Sequence, residues 1–312
     1  MTNKVMRRWL DTGALELPLP GGGQTAERFR RLAALSEADV VAGRLAEAHC
    51  DAVAILAELG GPPVQPGQWW GVWAAESPDA VLLAEQVGDR AFLHGTKQWC
   101  SGAGLCTHAL VTARVGSRQR GLFAVELQRP GVQPMQNGWH NAGMAASDTR
   151  SVQFSGAPAV MVGEPGDYLS RPGFWHGAVG VAACWLGGAR AVAAALYSRA
   201  AGGAFDPHGY AHLGAIDAVL TSAEATLTRA AAQIDANPSD RTGAEIWALR
   251  TRAVVEDAVE ETIRRTGRAL GPAPLCGDAV HAARVADLTV YVRQSHAEKD
   301  LERLGELVGA GR

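Results

Sequence analysis

The sequence has no run of like charges, few aromatic residues and no ordered set of cysteines, and each shortage removes a class of function. Its 29 Lys and Arg nearly balance its 32 Asp and Glu, for a net charge of −3. Nowhere do aromatics alternate with Lys or Arg, so a nucleic-acid surface is not indicated. The five cysteines, Cys50, Cys100, Cys106, Cys184 and Cys276, are odd in number and scattered. They make neither a metal spacing nor a disulfide framework, which fits a reducing cytoplasm. A membrane span is not expected either. The most apolar stretch, Gly177 to Leu196, carries Arg190 and four glycines and reads as a buried core helix. The opening segment meets Asp11 and Pro18 before any apolar run, so no signal peptide is expected. A strand–GxGxxG–helix signature is also missing, because Ser101-Gly102-Ala103-Gly104 does not lead into a helical pattern.

What is present is a globular composition. With 312 residues, 47% of them hydrophobic, the chain is long enough for two or three packed layers. Three regions differ in pattern. Ala26 to Leu35 and Ser36 to Leu59 carry apolar residues at three- and four-residue spacing, and Gly60-Gly61-Pro62-Pro63 ends the second helix. Short apolar runs then follow, bounded by Gly, Pro, Asp and Ser: Gly71 to Ala75, Ala80 to Gln86, Arg90 to His94, Ala109 to Val115, Gly121 to Leu127 and Ser151 to Phe154. Their spacing predicts an antiparallel sandwich or barrel. Ala-rich helical stretches over 174–201, 209–236, 241–270 and 278–306 come last, with short breaks, and read as a four-helix bundle. The order is helices, strands, helices, which predicts an α+β chain. Its expected parts are a shortened N-terminal helical region (1–63), a central β-sandwich or barrel domain (64–168) and a C-terminal bundle (169–312).

Two segments carry a resemblance. His94-Gly95-Thr96-Lys97-Gln98-Trp99-Cys100-Ser101-Gly102 is followed by Thr107 to Ala113, and Gly143-Met144-Ala145-Ala146-Ser147-Asp148-Thr149 leads into Arg150 to Phe154. Together with Val162-Gly163-Glu164-Pro165-Gly166, in this order and at these separations, they resemble the acyl-CoA dehydrogenase superfamily over about residues 40 to 306. The resemblance implies FAD as cofactor, with Trp99 packed on the flavin and Ser101 near its redox-active nitrogen. The chemistry is sound: the ring has apolar faces and polar edges, and an indole beside a hydroxyl serves both. Trp70 to Ser77 sits where the family has a strand ending Thr-Glu-Pro. Glu76 matches the Glu, and Ala75 stands where the Thr would be. The family's loop for the adenine end becomes Arg268-Ala269-Leu270-Gly271-Pro272, which keeps Gly271. Its cross-subunit Arg-x-x-Phe-Gly pattern becomes Arg199 to Phe205, so cross-subunit contacts are in doubt.

The resemblance also implies a catalytic Glu in the last long helix. The aligned position holds Ser295, with His296 next to it. Val285, Leu288, Val292 and His296 share one face of the expected helix, which places His296 at the edge of a buried stripe. In some family members the base lies in the first bundle helix, and there His176 is close to the right place. Either histidine can move a proton near neutral pH, and Glu298, further along, ranks below both. The implied activity is oxidation of an acyl thioester or related small molecule at adjacent carbons. The alternatives are a flavin monooxygenase using reduced flavin and oxygen, and a non-catalytic partner subunit. The expected assembly is a cytoplasmic homodimer or homotetramer, since the small residues of 177–196 let helices approach closely.

Overall fold

A computed structural model describes residues 2–88, 90–116, 119–136, 138–203 and 205–310 of the protein. In chain order the helices α1 (Thr2–Asp11), α2 (Thr25–Ala38) and α3 (Val40–Glu58) precede strands β1 (Trp70–Trp73), β2 (Leu82–Val87), β3 (Arg90–Cys100), β4 (His108–Val115), β5 (Gln119–Glu126), β6 (Val132–Pro134) and β7 (Arg150–Val162). Helices α4 (Asp167–Ser170), α5 (Gly173–Ala201), α6 (Pro207–Ala236), α7 (Arg241–Leu270), α8 (Ala273–Gly277), α9 (Ala279–Tyr291) and α10 (Glu298–Ala310) follow. The chain divides into two compact units. One comprises the residues up to Leu17, Leu45–His140 and Ala145–Phe174; the other comprises Pro18–Arg44, Asn141–Met144 and the residues from Trp175 onward. The N-terminal helices are thus shared between the units rather than forming a region of their own.

In the first unit the sheet closes on itself. β4 pairs with β5 and β2, β2 with β3, β3 with β7, and β7 with β5, which completes a ring. The all-antiparallel reading needs correction here: β1 and β2 both run parallel to β4, sharing one of its edges. β1 takes the part of that edge from His108 to Val111, and β2 takes Arg114 and Val115. β4 and β5 are apolar runs buried almost throughout, as strands inside a closed barrel require. A core of Ile55, Leu56, Trp70, Leu110, Leu122 and Val162 fills the space between α3 and the barrel wall.

The second unit is a helical bundle with well-marked ends. Asp206 caps α6 by accepting from Gly209 N at 2.8 Å, with Pro207 at the first helical position. Asp240 does the same for α7 through Gly243 N at 3.0 Å, and Gly271, at φ +65°, ends that helix. α5 is the core helix: 78% of its most apolar window is buried inside the protein. Its small residues let neighbouring segments of the same chain approach closely. A Cβ on Gly187 would lie 2.0 Å from the Ala33 carbonyl oxygen, and one on Gly188 would lie 2.7 Å from Leu288. The fourth bundle helix is not continuous as the sequence suggested. α9 stops at Tyr291, Val292–Gln294 tighten into a 3-10 turn, and α10 starts afresh at Glu298.

Candidate functional site

The barrel positions its functional groups around the end of β3. Along this strand Ala91, Leu93 and Lys97 point inward by simple alternation, so Trp99 should also point inward. The register prevents it. Lys97 pairs with Val152 but Cys100 pairs with Arg150, so β3 has one residue more than β7 over this span. That bulge puts Cys100 inside and turns Trp99 outward, with φ +61° and the side of its residue 58% exposed. A left-handed backbone at a bulky residue and an exposed indole both mark a place shaped for something other than packing.

Beside it lies a chain of hydroxyls. Ser101 Oγ is 3.0 Å from Thr149 Oγ1, which is 2.7 Å from Ser147 Oγ. Ser147 and Thr149 are buried and Ser101 is half-buried, so the chain runs from the interior to the surface next to Trp99. Ser101 is fixed from behind as well, because its carbonyl accepts from Trp73 Nε1 at 2.9 Å. Asp148, at φ +50°, accepts from Gly104 N and from Arg150 Nε, which pins the loop opposite.

Under this surface sits a buried cation. Lys97 Nζ donates to Glu76 Oε1 at 3.0 Å, to the Thr112 carbonyl at 3.0 Å and to Thr112 Oγ1 at 2.8 Å. Thr112 Oγ1 also donates to Glu76 Oε1 at 2.9 Å. Burial pushes the Lys97 ammonium below its ordinary range, and the Glu76 carboxylate only partly restores it. Burial raises Glu76, but Lys97 and Thr112 together outweigh it and hold the carboxylate below its usual value. Glu76 therefore acts first as a tie between β3, β4 and the segment after β1. Ala75 beside it is exposed and contributes only backbone to any ligand. The sequence motif contained Lys97 and Thr149 without assigning them a part. Their sign in the sequence is a lysine at an inward position of an otherwise apolar strand face.

In the bundle the expected residues fall in three places. Ser295 and His296 lie in the elbow between α9 and α10. Ser295 Oγ donates to Glu256 Oε2 at 2.5 Å and accepts from Ala297 N at 3.1 Å. The bond to Glu256, 39 residues away, and the local bond from Ala297 N, with Ala297 at φ +47°, stand in place of the helical ladder at the break. The buried stripe expected to include His296 consequently ends at Val292, and the His296 side chain is 72% exposed. Its ring Nδ1 lies 3.2 Å from Asp300 Oδ1. Glu298 is exposed in the first turn of α10. His176 is elsewhere: it is buried and lines a cavity of about 40 Å³ at the α6–α7 turn, with Gln233, Asn237, Asp240 and Trp247. Gly271 serves as the C-terminal cap of α7.

Residues 74–157 match the family model for the acyl-CoA dehydrogenase middle domain. No curated protein matches the chain in sequence at a significant level. Solved structures do match in fold. The enzyme TdsC of a Paenibacillus species, in complex with FMN and indole, has 21% sequence identity and a TM-score of 0.80, covering 92% of this chain and 84% of its own. The protein KijD3, in complex with FMN and a dTDP-linked amino sugar, has 17% identity and a TM-score of 0.80, covering 98% and 86%. A variant of a steroid ACAD has 19% identity and a TM-score of 0.74, covering 99% and 89%.

Proposed function

We propose that the chain, which has the acyl-CoA dehydrogenase fold, is a flavin-dependent oxidoreductase working as a monooxygenase on a small organic substrate. One observation carries this reading. At the α9–α10 elbow, where a dehydrogenase of the family would hold its carboxylate base, Ser295 is committed to Glu256 and the next residue, His296, presents an exposed imidazole. The carboxylate base of the family's dehydrogenases has no counterpart at that position, while an imidazole is suited to giving and taking protons near pH 7. The similar fold of TdsC, a dibenzothiophene monooxygenase solved with FMN, supports the same reading.

The residues around β3 fit a flavin ring. The outward indole of Trp99 offers an apolar face, and the surface end of the hydroxyl chain at Ser101 offers a polar partner for a ring edge. Backbone groups at Ala75, beside the Glu76 tie, take the place of a side-chain hydroxyl. The FMN bound in the similar folds of TdsC and KijD3 leads us to favour FMN over FAD. A bound reduced flavin supplies the two electrons with which oxygen is split between substrate and water. His296 holds or releases a proton at its outward ring nitrogen. A homo-oligomer is part of the proposal, with α10, which buries no residue and exposes Leu301 and Val308, as the helix to be covered.

The test is turnover of purified protein with chemically reduced FMN and oxygen, using indole as the probe, beside anaerobic mixing of the flavin-loaded protein with acyl thioesters. Oxygen-dependent product that falls about a hundredfold in His296→Gln is expected. Bleaching of the flavin by an acyl thioester would give the dehydrogenase reading instead. Absence of flavin quenching at high FMN and FAD would leave a non-catalytic subunit.

A further inference from the structure

We propose that Asp300, itself held by Arg252, fixes His296 in the tautomer that carries its proton on Nδ1 and so leaves Nε2 as the atom that accepts a proton. This rests on the reading of His296 as the proton-transfer group. A carboxylate can only accept, so the 3.2 Å contact between Asp300 Oδ1 and His296 Nδ1 requires the hydrogen to sit on Nδ1. The same side chain accepts from the His296 backbone N through Oδ2 at 3.4 Å. Ring and backbone are thus held by one carboxylate.

Asp300 does not float. Its side chain is only 19% exposed, and its Oδ2 lies 3.9 Å from Arg252 Nε, on α7. Arg252 donates through Nη2 to the Gln294 carbonyl at 3.0 Å and through Nη1 to the Ala178 carbonyl at 3.4 Å, and its guanidinium lies 4.5 Å from the centre of the Trp185 ring. One planar cation, anchored on α5, therefore grips the elbow before His296 and after it. Glu256 and Arg293 of the elbow are engaged elsewhere, and Glu298 and Lys299 are exposed. Glu256 is bound by Ser295 and lies 3.8 Å from Arg293, which also pairs with Glu260. Asp300 is the carboxylate that touches the ring. When Nε2 takes up a proton, the imidazolium formed stands against a carboxylate already in place, which is the logic by which an acidic residue orients a catalytic histidine.

A helix-capping role for Asp300 would account for the bond to the backbone N but would not set a tautomer, and that difference is measurable. In full-length 15N-labelled protein at pH 8, two-bond proton–nitrogen correlations should show His296, assigned by its loss in His296→Gln, with the proton on Nδ1. Asp300→Ala should move it to the Nε2–H form that a free imidazole prefers, and Asp300→Glu should restore part of the Nδ1–H form. Arg252→Lys should give a mixture. In the assay above, Asp300→Ala should lower kcat about tenfold or more while KM stays within about twofold, since orientation and not binding is lost. Nε2–H in the unmodified protein, or an unchanged tautomer in Asp300→Ala, would overturn the proposal. A tautomer that moves while kcat does not would overturn the catalytic part and remove His296 from the reaction, leaving flavin binding untouched.

Discussion

Replacing Glu76 by Ala should cost more stability than replacing Lys97 by Met, although the two residues form one ion pair. The asymmetry comes from burial: the Lys97 side chain is 5% exposed and that of Glu76 is 35% exposed. Without Glu76, a desolvated ammonium stays in the barrel with only the two oxygens of Thr112. Breaking a fully buried pair in this way costs about 3–5 kcal/mol; the water already at Glu76 and the remaining bonds to Thr112 reduce this to about 2 kcal/mol. Lys97→Met removes the buried charge itself and leaves Glu76 near Arg120, at 3.8 Å, and in contact with water. That should cost about 0–1 kcal/mol. Urea or thermal unfolding followed by tryptophan fluorescence reads the difference, which is about 2–5 °C in the midpoint. The pH dependence has a definite sign. The folded-state carboxyl of Glu76 is depressed, so its contribution is complete above its ordinary value of 4.5 and is lost as pH falls through the lower folded value. The gap between Glu76→Ala and the unmodified protein should therefore close in acid. Equal losses in the two variants, or a larger one in Lys97→Met, would refute the assignment of Glu76 as the group that makes the buried lysine tolerable.

His49 is buried and accepts from Trp70 N at 3.2 Å through Nδ1, and burial pushes its pKa down from 6.5 to about 4. Because the folded state resists protonation, stability should fall by up to about 3 kcal/mol as pH drops from 6.5 to 4, and His49→Asn should flatten that slope in acid unfolding titrations. Gly187→Ala should destabilise by about 3 kcal/mol in calorimetry, since its Cβ would sit 2.0 Å from a backbone oxygen of α2 that cannot give way alone. Trp99→Ala should weaken FMN binding by about 1 kcal/mol or more, roughly fivefold in a fluorescence titration.

The layout of the fold was legible because long periodic stretches leave little choice. The Ala-rich windows became α5, α6 and α7 within two residues of their expected ends, and Asp206, Asp240 and Gly271 are ordinary helix punctuation. The break at 292–297 was not legible. It has no Gly or Pro, and it depends on Ser295 meeting Glu256, 39 residues away in sequence. That single tertiary bond changed His296 from a half-buried stripe residue into an exposed one. The parallel pairings of β4 were hidden for a similar reason, since spacing between strands says nothing of which edges meet. Trp99 and Ser101, which we propose meet the flavin, were singled out by their motif. Thr149, Ser147 and Asp300 were not, because a hydroxyl chain and a carboxylate–imidazole contact exist only once distant segments are side by side.

The bulge in β3 separates two demands that an ordinary strand joins. In a regular ladder, the direction of one side chain fixes that of the next, so residue 99 would answer to the barrel interior. Here Lys97 and Cys100 face the interior, and residue 99 answers only to what lies outside. Its left-handed backbone would suit glycine better than tryptophan. A Trp99→Gly protein should therefore fold as well as the natural one or better while it loses its aromatic face, so the side chain at this position draws nothing from the stability of the barrel.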